Sequence, residues 1–170
     1  MAKTVFAMLD SPRTVWLFDT FTGMTKPTSQ DKLASSNELA SSKYDASIKA
    51  GFVDWCYASL ADVQLNALEL FGSLDGFRFV QGDVLKTLDI PSNPPESISV
   101  LRLDTDWYES TRKELQTLYP RLGVGGALII DDYGYWEGAR LAVDEYFADL
   151  GSRPLLVPVD DTGRVTLKIR

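Results

Sequence analysis

Strand-like apolar runs recur along the chain at wide spacing, and the segments between them carry helical periodicity. The runs are Val15 to Phe18, Phe77 to Val80, Ile98 to Leu103, Ala127 to Ile130, Leu155 to Val159 and Arg164 to Ile169. Alternation of this kind predicts an α/β fold built on a mostly parallel sheet. Asp19, Asp83, Asp104 and the pair Asp131 and Asp132 end or closely follow the first four runs. In open α/β sheets the ligand lies outside the carboxyl ends of the strands, so these acids are candidates for one shared crevice.

The intervening helices have readable ends. Ser59 with Asp62 three residues on forms a capping box, Leu60, Val63, Ala67, Leu70 and Phe71 follow at near-helical spacing, and Gly72 stops the segment. A second helix is predicted from Glu109 to Leu118, ended by Pro120 and a turn around Gly123 to Gly126. A third runs from Glu137 to about Leu150. Its stripe of Ala139, Ala142, Val143, Tyr146, Phe147 and Leu150 is what a sheet-covering helix needs, and is read as core. Asp160 to Gly163 is a short turn-rich link, so the last two strands are expected to pair as an antiparallel hairpin. From Thr25 to Tyr44 polar residues dominate and apolar periodicity is lost. Residues 25–44 therefore read as a surface insertion or a lid over a site.

Composition narrows the chemistry. The 170 residues include no histidine and one cysteine, with 24 acidic against 17 basic groups and 45% hydrophobic residues. That is enough apolar material for the core of a single domain. The absence of histidine excludes a Ser-His-Asp hydrolase, a Cys-His protease, an imidazole zinc site and a histidine base. A net charge of −7 argues against a nucleic-acid or anionic-membrane partner and leaves small molecules and metal cations. Cys56 cannot form an internal disulfide, the Val5 to Leu9 run is too short for a signal peptide, and no run approaches the ~20 residues of a membrane helix. A cytoplasmic location is the expectation.

The strongest constellation is Asp104, Asp106, Asp131 and Asp132. Both groups follow hydrophobic strands and would meet at one sheet edge if those strands are parallel neighbours. Carboxylates held together raise one another's pKa values, and a hard divalent cation, Mg²⁺, Ca²⁺ or Mn²⁺, is the usual remedy. The plainer alternative is that one acid caps a helix and the others face solvent. Asp19 sits where an acid accepts hydrogen bonds from ribose hydroxyls in nucleotide-binding sheets, or else is a turn residue. Asp83, with Gly82 allowing close backbone approach, could flank an adenine ring. Trp107, Tyr108, Tyr133, Tyr135 and Trp136 cluster after the acids and suit the walls of a small-molecule pocket, although each singly is also ordinary packing.

The stretches LFDTFTGM (Leu17 to Met24), LRLDTDWYEST (Leu101 to Thr111), LYPRLGVGGALIIDDYGYWEGAR (Leu118 to Arg140) and AVDEYF (Ala142 to Phe147) resemble the macrocin O-methyltransferase (TylF/MycF/NovP-like) family. The resemblance implies a Rossmann-like class I methyltransferase sheet. It also implies transfer of a methyl group from S-adenosylmethionine to a sugar hydroxyl of a macrolide or related antibiotic, assisted by Mg²⁺ or another hard divalent cation. Asp104, Asp131 and Asp132 match the family's metal-binding acids, with Asp104 also placed as the base. Asp19 matches the ribose-binding acid, and Asp83 with Val84 falls in the adenine-flanking segment.

Two departures accompany the match. Where many family members carry histidine, this chain has Tyr135. Only Met1 to Ser11 precede the first matched strand, resembling the tail of a helix, and no glycine occurs before Gly23. The expectation is an N-terminally truncated domain without the family's first strand and glycine-rich loop. Such a chain would bind cofactor weakly, and its open sheet edges would favour self-association. Two other readings compete. Leu103-Asp104-Thr105-Asp106 imitates the nucleophile motif of Mg²⁺-dependent haloacid-dehalogenase phosphotransferases, and a truncated domain could be a non-catalytic binding module.

Overall fold

The computed structural model describes residues 13–170. The Val5 to Leu9 run and the helix-tail reading of Met1 to Ser11 lie outside the described residues. In chain order the elements are β1 (Val15–Asp19), α1 (Ala40–Ala46), β2 (Ile48–Lys49), β3 (Phe52–Val53), α2 (Leu60–Phe71), β4 (Phe77–Gln81) and α3 (Val84–Thr87). They continue with β5 (Ile98–Leu103), α4 (Tyr108–Leu118), a 3₁₀ turn (Tyr119–Arg121), β6 (Leu122–Ile130), α5 (Glu137–Asp149), β7 (Val157–Pro158) and β8 (Arg164–Leu167). The chain divides into two compact units. One joins the described residues up to Thr25 with Ser47–Asp83, and the other joins Lys26–Ala46 with Val84–Arg170.

In the first unit β1 and β4 pair in parallel, Val15 opposite Phe77 through Asp19 opposite Gln81. The parallel register requires a crossover, and α2 lies on it. Its predicted ends are both present. Ser59 Oγ accepts from the Asp62 amide at 3.1 Å, and Gly72 adopts φ +75° with its N–H donating to the Leu68 carbonyl. Each satisfies a backbone group that the helix leaves open. The β2–β3 hairpin meets the loop after β1 through Val53 N–H to the Thr22 carbonyl and Met24 N–H to the Trp55 carbonyl. Gly23 makes that approach possible. Its φ is +89°, and a Cβ there would run into the Val53 carbonyl.

The second unit holds a four-stranded sheet in the order β5-β6-β8-β7. β5 and β6 are parallel, while β8 is antiparallel to both β6 and β7, so the predicted C-terminal hairpin is present. Its turn closes on Asp160 Oδ1, which accepts from the amides of Thr162 (2.9 Å) and Gly163 (2.6 Å). Helices α4 and α5 pack on each other. Leu115, Leu118, Ala139, Ala142, Val143 and Phe147 are buried there, and Leu101, Leu103, Leu128 and Ile130 are buried on the sheet. Each large apolar side chain so buried contributes about 1.5–3 kcal/mol.

Three details differ from the sequence pattern. Gly123 to Gly126, expected as a turn, lies within β6, where the register to β5 shifts between Ile98 and Val100 and Gly125 takes φ +80°. The glycines make an irregularity in the strand instead of ending the preceding connection. α5 stops at Asp149, leaving Leu150 outside the helix and 54% exposed. The polar segment carries α1 and antiparallel bridges from Lys32 to Leu39 and from Leu33 to Trp136. Backbone pairing holds it, and that leaves no mark in apolar periodicity. Among the described residues no helix is long and apolar enough to cross a membrane.

Candidate metal centre

Because β5 and β6 run parallel with Leu103 opposite Ile130, their carboxyl ends come out level, and the Asp131 amide donates to the Leu103 carbonyl at 3.0 Å. The acids that follow each strand therefore share one edge. Past Asp104 the chain turns sharply, with Asp106 at φ +66° and the Trp107 amide donating to the Thr105 carbonyl at 2.8 Å. That left-handed residue brings a second carboxylate of the same loop to the cluster. One oxygen each from Asp104, Asp106 and Asp132 lie within 4.8 Å of one another. Asp104 is exposed and the other two are half-buried.

Burial is the largest cause of the perturbed ionisation, with mutual repulsion after it. Asp104 keeps 44% of its side-chain exposure, but its carboxyl is partly withdrawn from water, and that desolvation, with Asp131 and Asp132, pushes it up to about 7 against the pull of Arg102. Asp106 is raised to about 6 by burial, although the Trp136 indole N–H, donating to Asp106 Oδ2 at 3.0 Å, stabilises its carboxylate. Asp132 is raised to about 8 by burial and by the Asp106 and Asp131 charges. Its Oδ2 is buried and has no hydrogen-bond partner among the described residues. Three hard oxygen donors, together with a carboxylate that keeps an orphaned buried oxygen, fit a divalent cation.

Asp131 takes a different position from Asp132. Consecutive side chains at a strand end point to opposite sides. Asp131 Oδ2 meets Arg102 at 2.8 Å, and Arg102 also pairs with Asp104 at 2.9 Å. Asp131 thus lies beside Asp104 but is held by a cation of the protein. The expected set of Asp104, Asp131 and Asp132 is accompanied by Asp106, which belongs to the same four-acid constellation in the sequence. Arg102 had no signal of its own, being a polar residue at an alternate position of β5.

Two further carboxylates were not singled out by sequence. Glu114, buried on α4, accepts from Thr105 Oγ1 at 2.9 Å and is raised to about 8, chiefly by burial. It sits one helical turn from Thr111 and Leu118 on the buried face of α4, a placement that could have marked it. Asp31, in the polar segment, is wholly buried. Nothing in the local pattern distinguishes it.

Asp19 ends β1 in the first unit, and its Oδ1 accepts from the Phe21 amide at 2.5 Å, so one oxygen holds the turn. The register puts Asp83 just beyond the same end of the β1–β4 pair, where the Gly82 amide donates to the Asp19 carbonyl and Gly82 takes φ +133°. Val84, the first residue of α3, is buried in the second unit. Trp107 and Trp136 are almost fully buried and meet edge to face at 5.1 Å. Tyr108 donates to Glu145 and Tyr133 to Asp144, while Tyr135 remains 45% exposed. A cavity of about 370 Å³ opens in the second unit among Ser29, Gln30, Lys32, Glu137, Arg140 and Asp144.

The fold agrees with that of known proteins. The family model of macrocin-O-methyltransferases (TylF) matches residues 1–166, which decides against the phosphotransferase reading. The chain is 37% identical over 152 residues to a mycinamicin III 3''-O-methyltransferase of Micromonospora griseorubida, covering 89% of this chain and 56% of that protein. It is 35% identical over 155 residues to a Streptomyces olivaceus tetracenomycin-C 4'-O-methyltransferase acting on a dimethoxyrhamnosyl compound, covering 91% and 54%. The chain thus spans about half the length of the curated relatives it matches. Among solved structures it is similar to the O-methyltransferase NovP, with a TM-score of 0.76 at 29% identity over 97% of this chain and 63% of that one. The calicheamicin methyltransferase CalS11, at 18% identity and a TM-score of 0.64 over 98% of this chain and 65% of that one, shares the fold. With its family-specific stretches embedded in the same α/β methyltransferase architecture, the chain belongs to the macrocin-O-methyltransferase (TylF) family.

Proposed function

We propose that this chain carries the metal- and acceptor-binding part of an S-adenosylmethionine-dependent O-methyltransferase that methylates a sugar hydroxyl of an antibiotic-type natural product. The observation that carries the reading is the convergence of Asp104, Asp106 and Asp132, with one oxygen of each within 4.8 Å of the others, in a cluster where Asp132 also keeps a buried, unpartnered Oδ2. The functions of the relatives support a glycosylated small molecule as acceptor.

Asp104, Asp106 and Asp132 would hold the cation, and Asp131 with Arg102 would flank it. A bound Mg²⁺ supplies Lewis-acid polarisation of a hydroxyl and lowers its pKa. The protein's own residues account for the proton. Asp104 is the carboxylate assigned to take that proton; its value of about 7 belongs to the metal-free protein, and a bound cation would lower it. Asp106, raised to about 6 and held by the Trp136 indole, is the weaker base of the two. Asp19 and Asp83 with Val84 are the residues proposed to face the cofactor's ribose and adenine. The cavity beside α5, which Leu141 also lines, offers donors and acceptors of the kind sugar hydroxyls use.

The test is methyl transfer from isotopically labelled S-adenosylmethionine to a panel of glycosides bearing free hydroxyls. The expected result is a Mg²⁺-dependent product that chelation abolishes and that Asp132→Asn fails to form. Equal product with chelator and with Mg²⁺ would refute the metal-assisted reading.

A further inference from the structure

Asp31 is wholly buried and yet carries a carboxylate. Burying an ion without partners costs several kcal/mol, so its contacts must compensate. Oδ2 accepts from the Thr28 amide at 2.6 Å and from Thr28 Oγ1 at 2.9 Å. Oδ1 accepts from the Tyr108 amide at 2.8 Å, across 77 positions of sequence. Tyr108 is the first residue of α4, and the residue before it, Trp107, offers no side-chain cap. Trp107 is instead committed to packing against Trp136. A carboxylate from a remote segment therefore does what a local Ser or Asp ordinarily does at a helix start, with its charge at the favourable end of the helix dipole.

The capped end is also the end of the acid loop. The Trp107 amide holds the Thr105 carbonyl, Ser110 Oγ donates to the carbonyls of Thr105 and Trp107, and Thr105 Oγ1 donates to Glu114. Displacing the first turn of α4 thus displaces Thr105 and Asp106. The fit around Asp31 leaves no slack. A Cβ on Gly138, the second residue of α5, would overlap Asp31 Oδ1 and stand 3.1 Å from the Tyr108 amide nitrogen. The same segment is strapped to the loop before α5, with Ala34 N–H donating to the Tyr135 carbonyl and Glu137 N–H to the Lys32 carbonyl. Trp136, whose indole orients Asp106, lies between those two bonds.

We propose that Asp31 is a positioning residue for the candidate metal centre: by capping α4 from the polar segment it sets the arrangement of Asp104 and Asp106. The inference rests on the metal site argued above and extends it to a residue outside the cluster. The experiment compares the full chain with Asp31→Ala and Asp31→Asn. Mn²⁺ binding is titrated by electron paramagnetic resonance, thermal melting is measured in chelator, and hydrogen exchange is followed at the Tyr108 amide. Outer partners of metal ligands are commonly worth about 10–100-fold in affinity. Asp31→Ala should therefore weaken Mn²⁺ binding by about tenfold or more and deprotect the Tyr108 amide. Asp31→Asn keeps an acceptor oxygen for the Tyr108 amide and should hold affinity within about threefold of wild type while losing the contact from the Thr28 amide. Should Asp31→Ala fail to fold, Gly138→Ala, which crowds the carboxylate off the Tyr108 amide, should give the same loss of affinity. A folded Asp31→Ala or Gly138→Ala chain with wild-type Mn²⁺ affinity overturns the inference and leaves the metal site standing. An Asn variant as weak as Ala overturns the capping role. A wild-type chain that binds no Mn²⁺ overturns the metal site itself, and the inference with it.

Discussion

Glu114→Gln should change the stability of the metal-free chain by an amount that grows with pH. Glu114 is buried on α4, and its carboxyl is raised from 4.5 to about 8, first by burial and then by the charges of Asp104, Asp106 and Asp132, against the Thr105 hydrogen bond. Below the ordinary glutamate range the side chain is protonated both folded and unfolded. As pH rises above that range the unfolded chain releases its proton while the folded chain retains it, so stability falls until the folded pKa is passed. At roughly 1.4 kcal/mol per pH unit, the interval sets a ceiling of about 5 kcal/mol. Since neighbouring carboxyls titrate over the same range, about 2–4 kcal/mol between about pH 5 and about pH 9 is the expected loss.

Glutamine occupies the same space and can accept from Thr105, but it has no proton to lose. Its buried amide nitrogen imposes a cost of about 1–3 kcal/mol that does not depend on pH. The variant should thus be the less stable protein in acid and gain on wild type as pH rises, by about 2–4 kcal/mol over that range. Urea unfolding in chelator at the two ends of the range reads the difference directly, because the carboxyls common to both chains cancel to first order. A wild-type-to-variant difference that stays constant within about 1 kcal/mol, or moves the other way, would show that Glu114 is not held neutral.

Two other outcomes follow from named contacts. Divalent cations should raise the melting temperature more at about pH 8.5 than at about pH 5.5, because Asp104, Asp106 and Asp132, raised to about 7, 6 and 8, must lose protons to serve as ligands. Equal shifts at both pH values in a thermal melt would contradict a carboxylate site. Ser59→Ala removes the acceptor for the Asp62 amide and should cost about 1 kcal/mol, measured by urea unfolding; a loss under about 0.3 kcal/mol would mean that water replaces the cap without penalty.

The elements that sequence predicts well are those whose signals are local. The ends of α2 follow from Ser59 and Gly72, and the strand positions follow from apolar runs that the sheet pairs as expected. The acid cluster was legible for the same reason: two parallel neighbours of matched register must present their following residues together. Which acids converge was less legible. Asp106 reaches the cluster through a left-handed backbone that a non-glycine residue rarely adopts, and Asp131 turns to Arg102, whose own place depends on register. The polar segment was opaque because its order comes from long-range backbone pairing and from Asp31, neither of which has a periodicity.

That pattern bears on a chain without histidine. An isolated aspartate would be a poor proton acceptor near neutral pH, since its ordinary pKa lies far below. Here burial and crowding bring Asp104 and Asp106 to about 7 and about 6, the range in which an imidazole ordinarily titrates. Level strand ends and a left-handed residue crowd the acids together, while Arg102 and the Trp136 indole pull in the opposite direction. The clustered charge is unfavourable in the bare protein. The same arrangement that weakens the metal-free chain as pH rises is therefore what prepares it to bind a hard cation.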